Sequence, residues 1–202
     1  MPTPPQSSTR IGRPRSENAA SHEAILDAVH ELLQEKSARE LSMEAVAKRA
    51  GVGKPTLYKW WPSKAALIFT MVQERMHGPM EAPQGESAEE SIRGRMRNLI
   101  DGFNGLFGKV LAELIAEGQS DPRVLHELYE RLISHRRAAL IAHIERAKIA
   151  GEFTDDTDPE LLVDAIFGPV YYRLLLRLTP LTQQYGQKLI DQVLRGLRSN
   201  SN

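Results

Sequence analysis

The tightest constraint in this sequence is the turn Ala50-Gly51-Val52, because the segments on either side of it are short, regular and read only as helices. Upstream, Met43, Val46, Ala47 and Ala50 recur at i, i+3, i+4 and i+7, one face of a short helix. Ser42 stands before them, where a side-chain oxygen can accept from the free amides of a first turn. Downstream comes Gly53-Lys54-Pro55, and a proline inside a helix is tolerated only in the first turn, so a second short helix starts near 53 and stops at Pro62-Ser63. Leu57 and Trp61, four residues apart, are placed to pack inward, which turns Lys54, Pro55, Tyr58 and Lys59 outward. A longer helix precedes the pair. Ile25, Leu26, Val29, Leu32 and Leu33 form its apolar stripe, it runs to about Lys36, and Ser16 is its expected N-cap.

The rest of the chain also reads as helix, with no alternating run long enough for a sheet. After Ser63, Leu67, Ile68, Met71 and Val72 carry a fourth helix to about Met76. The Gly- and Pro-rich stretch from His77 to Glu86 is the expected domain boundary. Beyond it, Asp121-Pro122, Asp158-Pro159 and Thr179-Pro180 each pair a capping residue with a proline, the signature of a helix onset, and Gly151 reads as a helix stop. Helices are therefore expected at about 87 to 107, 109 to 118, 122 to 150, 158 to 178 and 180 to 198, the fourth of these kinked at Gly168-Pro169. The predicted fold is all-α: a basic arm (1–15) without structure, a three-helix helix-turn-helix unit with its fourth helix (16–77), and a helical C-terminal domain (86–202).

Charge supports a nucleic-acid partner only through its placement. The 26 Lys and Arg balance the 26 Asp and Glu, yet residues 1–16 hold Arg10, Arg13 and Arg15 with no acid. Residues 45–73 hold Lys48, Arg49, Lys54, Lys59 and Lys64, again with no acid. Two short helices joined by a tight turn and braced by a third have helix-turn-helix geometry, in which the second helix enters the DNA major groove while the first crosses the backbone. The outward side chains suit that surface, with cations and the hydroxyls of Thr56 and Tyr58 facing phosphate oxygens.

Residues 24–68, AILDAVHELLQEKSARELSMEAVAKRAGVGKPTLYKWWPSKAALI, resemble the DNA-binding domain of the tetracycline-repressor (TetR) family of bacterial transcription regulators. The likeness lies in the spacing from Gly51-Val52 through Thr56-Leu57-Tyr58 to Pro62-Ser63-Lys64 and Leu67. Gly168-Pro169-Val170-Tyr171-Tyr172 resembles the family's ligand-binding and dimerising domain more loosely. The resemblance implies a homodimer that binds a palindromic double-stranded DNA operator and is released from it by a small apolar or amphipathic effector. By position it puts Lys54, Thr56, Tyr58, Lys59 and Trp60 on DNA and Lys64 on a phosphate; Ser42, Pro55, Arg13 and Arg15 complete the candidate DNA-binding set. Three residues depart from the family pattern: Gly53 where a capping Ser is frequent, Ser37 in place of a glycine, and Ala38 in place of an aromatic. The alternative is a helical ligand-binding or catalytic protein whose helix-turn-helix no longer binds specific DNA.

Other chemistries find little support. Without cysteine there is no disulfide framework, thiolate metal site or cysteine nucleophile. The six histidines lack ligand spacing, Asp155-Asp156-Thr157-Asp158 lacks the length of a calcium loop, and no phosphate, dinucleotide or nucleophile-elbow motif occurs. No catalytic residue, metal or cofactor is implied. No apolar run approaches the roughly 20 residues of a membrane span and no secretory signal is visible, so a cytoplasmic protein is expected, and the resemblance implies a bacterial one, nucleoid-associated when on DNA. Phe103, Phe107, Leu111, Leu128, Tyr129, Leu132, Phe167 and Tyr171 are candidates for an effector pocket, with plain core as the competing reading. Leu162, Ile166, Leu189, Val193 and Leu197 lie on helices with apolar residues on more than one face and are the candidate dimer interface.

Gly12-Arg13-Pro14-Arg15 resembles the core of minor-groove AT-hook peptides, a solvated basic tail being the alternative. Deleting residues 1–15 is expected to weaken binding more on operators with A·T-rich flanks than on G·C-rich ones, because a narrow minor groove favours an inserted arginine. Equal losses in a gel-shift titration of both would identify a nonspecific tail.

Overall fold

A computed structural model describes residues 15–75 and 87–195, with side chains from residue 19 onward. Among these residues the chain is all-α: α1 (Arg15–Glu35), α2 (Met43–Arg49), α3 (Lys54–Trp60), α4 (Lys64–Arg75), α5 (Ala88–Phe103), α6 (Leu106–Gly118), α7 (Pro122–Leu128), a π-helical turn (Tyr129–Ile133), α8 (Ser134–Ile149), α9 (Pro159–Leu176) and α10 (Gln183–Leu194). None of these helices is long and apolar enough to cross a membrane.

Local chemistry sets most helix ends. Ser42 Oγ accepts from the Ala45 amide, Ser63 Oγ from Ala66, and Ser87 forms a reciprocal capping box with Glu90. Asp121 and Asp158 cap α7 and α9 ahead of their prolines, as the sequence predicts. Gly51 and Gly151 adopt φ of 66° and 77°. At each, the next residue's amide reaches back five positions (Val52 to Ala47, Glu152 to Ala147) and the glycine's own amide bonds the carbonyl three back, closing a Schellman motif.

Four expectations are corrected. Helix α1 begins at Arg15, so Ser16 lies inside it rather than at its cap. Helix α5 stops at Phe103 and α6 already starts at Leu106, because Asn104 turns the chain and donates its side-chain amide to the Leu181 carbonyl. Arg177, at φ 52°, ends α9 just before 178. Thr179-Pro180 does not start α10; Thr182, itself extended, does, its Oγ1 accepting from Tyr185, while the Leu181 carbonyl before it is held by Asn104. Pro169 leaves α9 unbroken, costing it one amide donor without ending it.

Packing builds one continuous buried cluster. Helices α1, α2 and α4 close over Leu26, Val29, Leu33, Val46, Leu57 and Leu67, and α5 to α10 over Ile92, Met96, Ile100, Val110, Ile144 and Ile190. Between the two halves, α6 approaches the end of α1 and α4 approaches the π turn. The carboxylate of Glu152 accepts from the Ala88 and Glu89 amides and so fixes the start of α5.

The turn at Gly51 has open space around it and a left-handed φ, so its role is conformational. Gly51→Ala is expected to destabilise the fold by about 1–2 kcal/mol, and Gly51→Asn by less, in denaturant unfolding. Equal stability of all three proteins would show that the turn does not hold this geometry in solution.

Candidate nucleic-acid interface and internal cavity

The outward face of the helix-turn-helix is built by what lies beneath it. Leu57 is fully buried and Trp61 nearly so, with the indole Nε1–H of Trp61 donating to Thr70 Oγ1 at 2.9 Å on α4. That anchor rotates the other face of α3 outward: Lys54, Pro55, Tyr58, Lys59 and Trp60 are exposed, and Thr56 is half-buried. Trp60 is held sideways, its ring stacked on Trp61 at 5.8 Å and beside His22 of α1 at 5.2 Å. Ser42 is exposed but its oxygen serves the α2 cap. Lys64 is half-buried, and its ammonium donates to the Arg39 carbonyl at 3.2 Å. Arg13 and the Arg15 side chain lie outside the described residues, as does Leu197.

The basic tract is thinner here than the sequence count suggests. Arg49 of α2 bonds Glu31 and Glu35 of α1, and this guanidinium holds the Glu35 carboxyl below its ordinary range. Arg75 of α4 reaches Glu23 and Asp27 on the same helix. One acidic side of α1 thus engages two arginines as braces. Lys54 forms an exposed pair with Glu44 at 3.1 Å, a contact worth little in water and easily exchanged for a phosphate. The N-terminus of α3 has no side-chain cap, Gly53 offering only backbone.

A second site lies among the later helices. A cavity of about 440 Å³ opens between α5, α6, the π turn, α8 and α9. Five of the predicted pocket residues line it: Phe107, Leu111, Leu132, Phe167 and Tyr171. The other three do not. Phe103 is buried behind the wall, edge-on to Tyr171 at 5.1 Å, Leu128 is core, and Tyr129 is 46% exposed on the outer surface. The sequence reading missed the polar part of the lining, which includes Arg95, Asn98, Arg136, Arg137 and Asp164. The π turn explains part of this. Its wider winding, where a single long α-helix was expected over 122 to 150, places the adjacent residues Leu132 and Ile133 in one wall.

The expected dimer residues differ in burial. Leu162 and Ile166 are buried in the chain's own core, since the inner face of α9 packs on α5, α6 and α8, and Leu189 and Val193 are half-buried. The exposed apolar stripe of α9 is instead Leu161, Tyr172, Leu175 and Leu176, continued by Leu178.

Helix α6 touches both sites. Its Phe107 and Leu111 face the cavity, while Lys109 donates to the Leu33 and Lys36 carbonyls at 2.9 and 2.8 Å and Glu113 accepts from the Ala38 amide, all at the end of α1. From α4, Gln73 donates to the Arg131 carbonyl of the π turn at 2.8 Å.

Residues 25–71 match the family model of bacterial regulatory proteins, tetR family, and residues 82–193 match that of the tetracyclin repressor-like C-terminal domain. The uncharacterized HTH-type transcriptional regulator YdeS of Bacillus subtilis (strain 168) is 33% identical over 193 residues, covering 96% of each chain. The crystal structure of the TetR family transcription regulator SCO0332 superposes with a TM-score of 0.68 at 30% identity, covering 89% of this chain and 99% of that one. FadR from Bacillus subtilis, in complex with stearoyl-CoA, superposes with a TM-score of 0.70 at 19% identity over 87% of this chain and 98% of its own, a likeness of fold.

Proposed function

The chain belongs to the tetracycline-repressor (TetR) family of bacterial transcriptional regulators, and we propose that it acts as a homodimeric repressor released from a palindromic operator by a small molecule held in the cavity. The observation that carries this reading is the double engagement of α6, whose one side lines the cavity and whose other side holds the end of α1. In this reading residues 16–77 are the DNA-binding unit and residues 86–202 the effector and dimerisation unit. Lys54, Thr56, Tyr58, Lys59 and the rim of Trp60 meet DNA, and the α3 amides add a favourable end for phosphate.

Release follows from linkage. An effector changes DNA affinity only if it binds one arrangement of the two units better than the other. A ligand that moves Phe107 or Leu111 shifts α6, and with it the Lys109 and Glu113 contacts that set the angle of α1 beneath the helix-turn-helix. The Gln73 bond from α4 to the π turn gives a second route, since Leu132 and Ile133 of that turn also line the cavity. Two operator half-sites require two recognition helices, and the exposed α9 stripe provides the surface for pairing: Leu161, Tyr172 and Leu175 recur at i, i+11 and i+14 on one side of the helix.

Three outcomes test the parts separately. Lys54→Ala with Lys59→Ala is expected to weaken operator binding by about 1–3 kcal/mol per base-reading contact, or to flatten its salt dependence where a phosphate contact is lost. An unchanged gel-shift affinity and salt slope would remove this face from the DNA interface. Lys109→Met leaves two helix-end carbonyls without their donor, so amide hydrogen exchange over residues 33–41 should accelerate with a local loss of about 1–3 kcal/mol. Unaltered exchange there would rule α6 out as the link. Leu175→Glu, or Leu161→Glu, is expected to give monomers by sedimentation that bind DNA only nonspecifically, through loss of the paired half-site contacts. Stable dimers of both variants would place the subunit interface on another surface.

A further inference from the structure

Among the arginines that line the cavity, Arg136 is exceptional for what it lacks. Its neighbour Arg137 gives its guanidinium to Glu160 and Asp164, and Asp164 is the one carboxylate among the lining residues. Arg136, half-buried, makes no hydrogen bond or ion pair within the described residues, and it lines an otherwise largely apolar space. Tyr171 shares that wall, and its hydroxyl likewise has no hydrogen-bond partner there. Burial lowers the Arg136 pKa, with the nearby Tyr171 partly offsetting the shift, and burial raises the pKa of Tyr171, keeping the phenol in its neutral, proton-donating form.

A half-buried cation without a counter-charge costs stability, and a Met or Leu of similar reach would pack the same wall without that cost. The arrangement becomes favourable once a ligand supplies the missing charge. From the unpaired guanidinium, the neighbouring phenol and the apolar remainder of the cavity, we infer that the effector is an amphipathic organic anion, a carboxylate head on an apolar body. Arg136 receives the carboxylate through its forked donors, and the Tyr171 hydroxyl donates to one of its oxygens. Phe107, Leu111, Leu132 and Phe167 cover the apolar body. One negative charge on the head neutralises Arg136, which has no counter-charge among the described residues. This inference rests on the reading of the cavity as the effector site and adds the chemical class of its ligand.

The test uses the full-length protein and Arg136→Met, titrated calorimetrically with saturated carboxylates from hexanoate to dodecanoate and with the matching primary alcohols. In the wild type, the best-fitting carboxylate is expected to bind at least about tenfold more tightly than its alcohol, as a charge-assisted bidentate contact requires. Arg136→Met should erase that preference while leaving alcohol affinity within about twofold, and Arg136→Lys, which keeps the charge but not the fork, should fall between. The unliganded Arg136→Met protein should unfold at or above the wild-type temperature. Alcohols binding as tightly as carboxylates, no carboxylate binding in the wild type, or a lowered unfolding temperature in Arg136→Met would each overturn the inference. Operator binding without ligand, measured in parallel, separates the two levels. Carboxylate failure with intact operator binding removes this inference alone, whereas a wild type that binds no specific DNA removes the regulator reading beneath it.

Discussion

The last turn of α1 leaves carbonyls that its own helix cannot satisfy, and the ammonium of Lys109 on α6 takes two of them, at Leu33 and Lys36. Beside it, Glu113 accepts from the Ala38 amide in the loop that follows. A cation at a helix C-terminus is favoured by the helix dipole as well as by its hydrogen bonds, so this contact is stronger than an exposed ion pair between side chains. Through it α6 meets the helix that braces the helix-turn-helix. Helix α1 is the brace on which α2 and α4 pack, and its angle is inherited by α3.

The charges of the N-terminal unit divide by what they touch. Arg49 and Arg75 are held by acids on α1 and serve as internal struts. Lys59 stands exposed, and the ion pair of Lys54 with Glu44 is itself exposed. A polyanion competes easily for a cation of the second kind and poorly for one of the first, because an exposed pair gives up little when it is exchanged. The effective DNA-facing charge is therefore set by burial and pairing rather than by the count of bases along the chain.

The C-terminal half is governed by a different balance. Its helices enclose a space that is largely apolar, yet the chain places arginines on its wall and neutralises one of them, Arg137, from α9. The π turn contributes by widening the helix where Leu132 and Ile133 meet the cavity, and its Arg131 carbonyl receives Gln73 from the DNA-binding half. Cavity shape and the placement of α4 thus share one irregular turn, a local geometry that regular α-helical winding would not provide.

The helices and their ends were legible in the sequence wherever the determining groups lie within a few residues of one another. Ser42, Asp121, Asp158, Gly51 and Gly151 act on amides and carbonyls of their own turn, so their roles do not depend on the rest of the fold. The inward pair Leu57 and Trp61 was likewise legible from helical spacing. Tertiary structure decided what such spacing leaves open. Thr179-Pro180 has the local form of a helix start, but Asn104, distant in sequence, holds the Leu181 carbonyl and the helix starts after Thr182. On α9, apolar on several faces, neighbouring helices chose Leu162 and Ile166 for the core and left Leu161 and Leu175 outside. The same holds for the arginines: adjacent in sequence and identical in chemistry, Arg137 is paired and Arg136 is not, because consecutive residues on a helix point about 100° apart and only one meets the acids of α9.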